Sequence, residues 1–458
     1  MKSVNEQRLF RGPAAEADLL ISNVHVIDPR AKIDGRHDVA VVDGLLAELA
    51  PPGTLTAGPE AEKIDGNGRH LFPAFVDPHI HLRTPGHEHK EDIETGTRSA
   101  AAGGFCAVLA MPNTDPVVDS SSVLRSLRDA ACREARVPVG FLASITVGLD
   151  GTELTAMAEL RAAGAAGFTD DGMPIADAGV LRKALQYQRM SGGVLALHEE
   201  DSSLSAGGVM NEGAVSAVLG VSGIPSISES TFVARDAAIA GYEGGTVHMQ
   251  HLSCVASVEA IRAAKALGYN VTAEVSPHHL CFTEEKVRTL DTRMKMNPPL
   301  RTELDRQALI AGLLDGTIDC IATDHAPHSA HEKEVPFEQA PMGTTGLESS
   351  FSACYTELVR SGLMSLEMLL EKMTCGGAIF GLSIPQITIG ESANIVLVDL
   401  EQQWQVGADG YESRSENCAF DGQMLHGRVL LTVADGAVAY RQRSFAISAA
   451  PQLDEAAQ

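Results

Sequence analysis

Short apolar strands alternate with helical stretches eight times through the middle of this sequence, and that rhythm restricts the possible folds more than any other feature. The strand-like runs are Leu71–Val76, Phe105–Ala110, Val139–Ile145, Ala166–Thr169, Val194–Leu197, Thr246–Gln250, Asn270–Val275 and Asp319–Thr323. Between them lie helical stretches such as Ser121–Ala135, Ala178–Met190, Ser257–Ala266 and Glu303–Leu314. Eight strand-then-helix units over about 300 residues favour a closed parallel (β/α)8 TIM barrel over an open doubly wound sheet. No GxGxxG or GxxxxGK[ST] follows the first strand, so nothing points to a phosphate-loop nucleotide site.

The flanks have a different pattern. Residues 17–70 carry short alternating runs with hairpin punctuation, as at Val39–Val42 followed by Asp43-Gly44. Ala393–Leu400 and Val429–Val433 are strand-like, and Ala434-Asp435-Gly436 turns the chain into Ala437–Tyr440. The expected architecture is α/β: a barrel over 71–385, with 17–70 and 386–446 forming one small β-sandwich. Residues 1–16 are an extension of no evident role, and 447–458 a frayed tail. A chain of 458 residues, 44% apolar, is long enough for both cores.

Chemistry is concentrated where barrel enzymes place it, at the carboxyl ends of the strands. Strand one ends Asp77-Pro78-His79-Ile80-His81, strand four Asp170-Asp171, strand five His198, strand six His251 and strand eight Asp324-His325. His79 and His81 are two apart, so in extended backbone they share a face and can share an ion. A single histidine at a strand end is more often structural; five strand ends carrying His or Asp point to a metal site. Imidazole and carboxylate donors without thiolate suit Zn²⁺. Coordinated water would then be acidic enough to serve as a nucleophile near neutral pH. Asp170 and Asp171 face opposite sides of an extended segment, so only one of the two should reach the metals.

Charge and cysteine content exclude other classes. Thirty-five basic against sixty acidic residues give −25 without a basic cluster, which disfavours nucleic acid and anionic membranes. No apolar run approaches the ~20 residues that span a bilayer, and the first residues lack a signal-peptide core, so a cytoplasmic location is expected. Eight cysteines without CxxC spacing are expected as reduced, mostly buried thiols.

Seven short strings carry a family resemblance: DPHIHLRTPG at 77–86, MPNT at 111–114, FTDDG at 168–172, HMQHLS at 248–253, SPHHL at 276–280, NPPL at 297–300 and ATDHAPH at 322–328. In this order and spacing the sequence resembles bacterial dihydroorotases of the amidohydrolase superfamily, in the branch without a bridging carboxylated lysine. Ala165–Pro174 contains no lysine. The resemblance implies that His79, His81 and Asp324 hold one zinc, that His198 and His251 hold a second, and that the strand-four Asp bridges them. Two ions per subunit are expected, although one would suffice. Asp171, 27 residues before His198, matches the family spacing better than Asp170. Asp324 would act as the catalytic base and then the acid. Glu199, where a cysteine is common, and Cys254, where threonine is common, depart from the pattern without removing a ligand.

Arg83, two residues after His81, offers a guanidinium fork for the carboxylate that distinguishes dihydroorotate from hydantoins and dihydropyrimidines. The resemblance adds Asn113 and His328 to a carboxylate pocket, with Asn297 and the backbone at Met342-Gly343 holding the ring amide. The implied partners are dihydroorotate and N-carbamoyl-L-aspartate as small-molecule substrates, a second copy in a homodimer, and aspartate transcarbamoylase. The competing readings are a cyclic amidohydrolase for allantoin, hydantoin or dihydropyrimidine, and a non-catalytic subunit supporting the transcarbamoylase. Glycine and serine in Ser202–Ile227 suggest a mobile excursion after strand five, which would be either a closing lid or a passive surface loop or assembly contact. Of the remaining histidines, 87, 89, 248, 278, 279, 325 and 331, most are expected to be loop, core or supporting groups and not ligands, and parity turns His325 away from the ions.

Overall fold

A computed structural model describes residues 8–445, so the tail over 447–458 and the first seven residues lie outside the described part of the chain. Eight parallel strands form the barrel: Phe75–Ile80, Phe105–Ala110, Val139–Phe141, Phe168–Thr169, Leu195–Leu197, Val247–Met249, Val271–Val275 and Cys320–Ile321. The first three pair in sequence, and the last five pair in sequence. Parallel bridges at Ala143 with Phe168 and at Ile80 with His325 join the two groups and close the ring. The strands read as near-continuous apolar runs because both faces are buried, against side chains inside the barrel and helices outside.

One boundary differs from the sequence reading. Leu71–Val76 is not a single barrel strand: His70–Pro73 pairs with Leu19–Asp28 and Ile395–Gln405 in the satellite sheet, and the barrel begins at Phe75. The run LFPAFV is buried throughout, so apolar content alone hides the point where the chain passes from one core to the other.

The satellite is one hydrogen-bonded sheet of eight strands drawn from both ends of the chain. Two of its hairpins turn at Asp43-Gly44 and Asp435-Gly436, where all four residues have positive φ, the geometry that Asp-Gly favours. The sheet folds over until these turns touch. Ala17 N–H donates to Gly436 O at 2.8 Å and Ala393 N–H to Gly44 O at 2.9 Å. A Cβ at Gly44 would lie 2.9 Å from Gly436 O, so glycine is required there for packing as well as for φ. Ile21, Val41, Ile64, Leu71, Leu397 and Val433 fill the interior.

Phe351, on the short helix Ser350–Cys354, packs a strand of the satellite sheet against the barrel core. Its ring stacks on Phe75 of the barrel at 5.3 Å between centroids and meets Phe72 of the satellite at 6.1 Å. Phe351→Ala should lower the unfolding free energy by about 3–5 kcal/mol, because a fully buried ring leaves a cavity shared by both units. Chemical denaturation would measure this loss, and a change under about 1 kcal/mol would mean that the units do not depend on this contact.

The extension is partly accounted for. Phe10 bridges to Val139 and is buried beneath Arg128, whose guanidinium lies 4.6 Å from the ring centroid, so this segment covers the amino-terminal end of the barrel. The excursion over 202–227 is not the structureless loop its composition suggests. It contains the helices Ser202–Ser205 and Ala214–Leu219, and Met210–Asn211 pairs with Gly223–Ile224. Buried Arg301 pins it, donating to Asn211 Oδ1 at 3.0 Å and Ile224 O at 2.6 Å. Its glycines serve turns: Gly220 caps a helix at φ 69° and Gly207 has φ 78°. All eight cysteines are free thiols, and Cys132 is the exposed one. No helix among the described residues is long and apolar enough to cross a membrane.

Candidate active site

The six side chains singled out as ligands meet at one mouth of the barrel. His79, His81 and Asp171 form one group of donor atoms, and Asp171, His198 and His251 form a second that shares Asp171. Asp324 Oδ1 lies 3.1 Å from His81 Nε2 and 3.5 Å from His79 Nε2. Asp171 lies 3.5 Å from both His79 Nε2 and His81 Nε2, 3.7 Å from His251 Nε2 and 3.9 Å from His198 Nδ1. All six residues are buried.

These separations are mostly too long for hydrogen bonds, yet too regular for side chains that avoid one another. Ligands about 2.0–2.1 Å from a tetrahedral zinc stand roughly 3.3–3.4 Å apart, close to the 3.1–3.5 Å around His79 and His81 and somewhat shorter than the 3.7 and 3.9 Å from Asp171 to His251 and His198. The imidazole protons point elsewhere: His79 Nδ1 lies 2.6 Å from Glu274 Oε1 and His81 Nδ1 lies 2.9 Å from Asn113 Oδ1. When these rings are neutral, with their single proton on Nδ1, each turns the lone pair of Nε2 towards carboxylate oxygens, and His79 Nε2 has no hydrogen-bond partner although it is buried. Lone pairs converging from nitrogen and oxygen repel unless a cation sits among them. The residues fit a metal.

Titration behaviour points the same way. Burial by itself would push the Asp171 carboxyl up, but His79, His251 and His81 outweigh it and hold the group well below the ordinary carboxylate range. Burial disfavours a charged His79, yet Glu274, Asp171 and Asp324 hold its pKa well above that of free imidazole. The pocket is a trap for positive charge, whether carried by protons on the imidazoles or by a metal cation.

The choice between the two aspartates is resolved geometrically. Asp170 faces away, accepting from Ile145 N at 2.7 Å, Thr146 N at 3.1 Å and the Thr146 hydroxyl. His325 also turns from the cluster, 3.3 Å from Glu91 Oε2 and accepting from Gly346 N–H. Three mouth residues, Arg83 (φ 59°), His251 (φ 32°) and Asp324 (φ 48°), adopt left-handed backbone, at about 1–3 kcal/mol of strain each. The left-handed bends at strand ends one, six and eight are part of what turns these side chains inward.

Arg83 is held by its Nε–H donating to Pro327 O at 3.2 Å, and neither terminal nitrogen of its fork has a hydrogen bond or ion pair among the described residues. His328 Nε2 bonds to Met342 O at 2.9 Å; burial, together with nearby Arg83, drives its pKa down to about 2, so it is neutral. Gly343 N–H donates to Lys295 O at 2.8 Å, and its φ of 134° brings the backbone so close that a Cβ would lie 2.8 Å from the Ala326 Cβ. Asn297 Nδ2 donates to Glu200 Oε2 at 2.7 Å. Asn113 lies behind His81, its amide nitrogen 3.3 Å from Asp171 Oδ2.

Sequence reasoning missed two carboxylates. Glu200 Oε2 lies 3.1 Å from His198 Nε2, so His198 turns Nδ1 towards Asp171 and His251. Its position two residues after His198 was the signal, the same spacing that links His79 to His81. Glu274 was legible as one acidic residue inside an apolar strand, which needs a buried partner.

A family model described as Dihydro-orotase-like matches residues 68–257. The dihydroorotase of Geobacter sp. (strain M21) is 44% identical over 93% of this chain and 99% of that protein. That of Acetivibrio thermocellus is 41% identical over the same shares of the two chains. Among solved structures, the L-hydantoinase (dihydropyrimidinase) from Arthrobacter aurescens superposes with a TM-score of 0.81 at 25% identity, over 92% of this chain and 96% of that one. The barrel and satellite are thus shared with enzymes of other names, but both of these dihydroorotases are more than 40% identical to it along nearly the whole length, and the chain belongs to the dihydroorotase family.

Proposed function

We propose that this chain is a zinc-dependent dihydroorotase that reversibly opens the cyclic amide of (S)-dihydroorotate to N-carbamoyl-L-aspartate, in the synthesis of pyrimidines. The observation that carries this reading is the placement of Arg83 beside the six-residue donor cluster, with its guanidinium fork unpaired. His79, His81 and Asp324 would hold one zinc, His198 and His251 a second, and Asp171 both. Bound there, zinc would supply water with its pKa lowered to about 7 and a Lewis acid for the scissile carbonyl.

The chain's own groups account for the proton movements. Asp324 takes a proton from the attacking water, the ring C–N bond breaks, and the same carboxyl returns the proton to the departing nitrogen. In reverse, Asp324 removes a proton from the carbamoyl nitrogen as the ring closes and water leaves. Arg83 binds the substrate carboxylate with two charge-assisted bonds, which lets a chain of net charge −25 hold an anion. Asn113 borders the same pocket. His328 completes it only after releasing Met342 O, because its one ring proton is engaged there. Asn297 and the backbone at Met342-Gly343 face the ring amide; with the Gly343 N–H given to Lys295, that contact falls to Met342. A homodimer, an association with aspartate transcarbamoylase and a cytoplasmic location belong to the same reading.

Metal-loaded protein assayed in parallel on dihydroorotate, allantoin, hydantoin and dihydrouracil tests the substrate. The highest kcat/KM is expected on dihydroorotate. A higher value on any of the other three would replace this reading with that of a related amidohydrolase.

A further inference from the structure

Glu274 lies on the seventh barrel strand beneath the donor cluster, and 1% of its surface is exposed. Oε1 faces His79 Nδ1 at 2.6 Å and accepts from His251 N–H at 3.3 Å. Oε2 faces His248 Nε2 at 3.0 Å, and His248 is fixed in turn by Thr272 Oγ1, 2.9 Å from its Nδ1. One buried carboxylate therefore touches a histidine of the first donor group and the backbone of a histidine of the second. The connection runs from strand six through strand seven to strand one.

The consequences follow from hydrogen-bond geometry. A carboxylate only accepts, so whenever His79 is neutral, as a metal ligand must be, its single proton faces Glu274 from Nδ1 and its lone pair is on Nε2. Nε2 is the buried nitrogen without a partner, 3.5 Å from Asp171 and from Asp324. Without Glu274 the ring could exchange tautomers or rotate, and either change removes the lone pair from the cluster. The bond to His251 N–H supports the left-handed backbone that turns this second histidine inward. His248, Glu274 and Cys320 also bring donor atoms within 4.8 Å of one another. The bonds of His248 and Glu274 are already engaged, which makes this group a support and not another ion site.

We infer that Glu274, braced by His248, is the positioning residue of the metal centre: it sets the tautomer and orientation of His79 and the backbone of His251 before a metal arrives. This inference rests on the metal-centre reading above. Carboxylates behind ligating histidines commonly contribute about 10–100-fold in metal affinity.

The test is Zn²⁺ affinity, measured by competition between the metal-free protein and a chromophoric chelator, for the wild type, Glu274→Gln and His248→Leu. Glu274→Gln should bind the tighter Zn²⁺ roughly 10–100-fold more weakly. With excess Zn²⁺ its kcat should recover to within about threefold and its KM for dihydroorotate should stay unchanged. His248→Leu should shift affinity in the same direction by a smaller factor. A folded Glu274→Gln whose Zn²⁺ Kd lies within threefold of wild type, even with a lowered Tm, would overturn the inference and leave Glu274 a merely structural group. If Glu274→Gln fails to fold, an unchanged Kd in His248→Leu overturns it equally. A wild type that binds no Zn²⁺ would instead overturn the metal-centre reading itself.

Discussion

Replacing His81 or Asp324 by alanine is expected to abolish turnover of dihydroorotate, with kcat/KM falling by at least about 10⁴-fold. The two losses have different origins. His81 offers a single Nε2, oriented by Asn113, so its removal opens the first donor group and lowers the metal content of the purified protein. Asp324 is both a donor and the proposed proton carrier, so added metal should not restore activity to Asp324→Ala. Steady-state kinetics on metal-saturated, folded protein would check both. Activity within tenfold of wild type in either variant would contradict the mechanism, because among the described residues no other carboxylate stands beside both His79 and His81 except Asp171, already shared between the two groups.

Arg83→Met should separate substrates instead of abolishing chemistry. Two charge-assisted bonds at about 1.5–3 kcal/mol each amount to roughly 3–6 kcal/mol, or a fall of about 10²–10⁴-fold in kcat/KM for dihydroorotate. Dihydrouracil has no carboxylate for the fork, so its kcat/KM should change less than about threefold. Methionine keeps the buried stem while removing the donors, so the carbonyl of Pro327 loses one bond but the loop keeps most of its packing. Equal losses on both substrates would reduce Arg83 to a structural residue.

The barrel was legible because its strands are buried on both faces and stand out as apolar runs between polar-faced helices. The mouth was legible because histidine and aspartate recur at the ends of those runs. Spacing of two residues placed His79 beside His81, and the same parity turned His325 outward and left Asp170 and Asp171 as alternatives. Contacts between distant segments turn Asp170 away from the cluster and could not be read from order alone: Ile145 and Thr146 claim it from the loop after strand three. Likewise, the division of Leu71–Val76 between two sheets depends on which partners each half finds. The short helices and strand pair of the excursion over 202–227 are not legible in its composition, because its anchor, Arg301, lies 77 residues beyond Ile224. Glu200 and Glu274 stand in the sequence as carboxylates near the histidine-bearing strands, but their purpose appears only when the histidines they face are seen beside them.

The central claim is that His79, His81, Asp171, His198, His251 and Asp324 together hold metal. Anomalous diffraction from crystals of the zinc-loaded protein, recorded on both sides of the zinc absorption edge, tests it most directly. The account predicts two peaks flanking Asp171, one beside His79, His81 and Asp324 and the other beside His198 and His251. An absence of anomalous density among these six residues, in crystals whose protein binds zinc elsewhere or not at all, would contradict it.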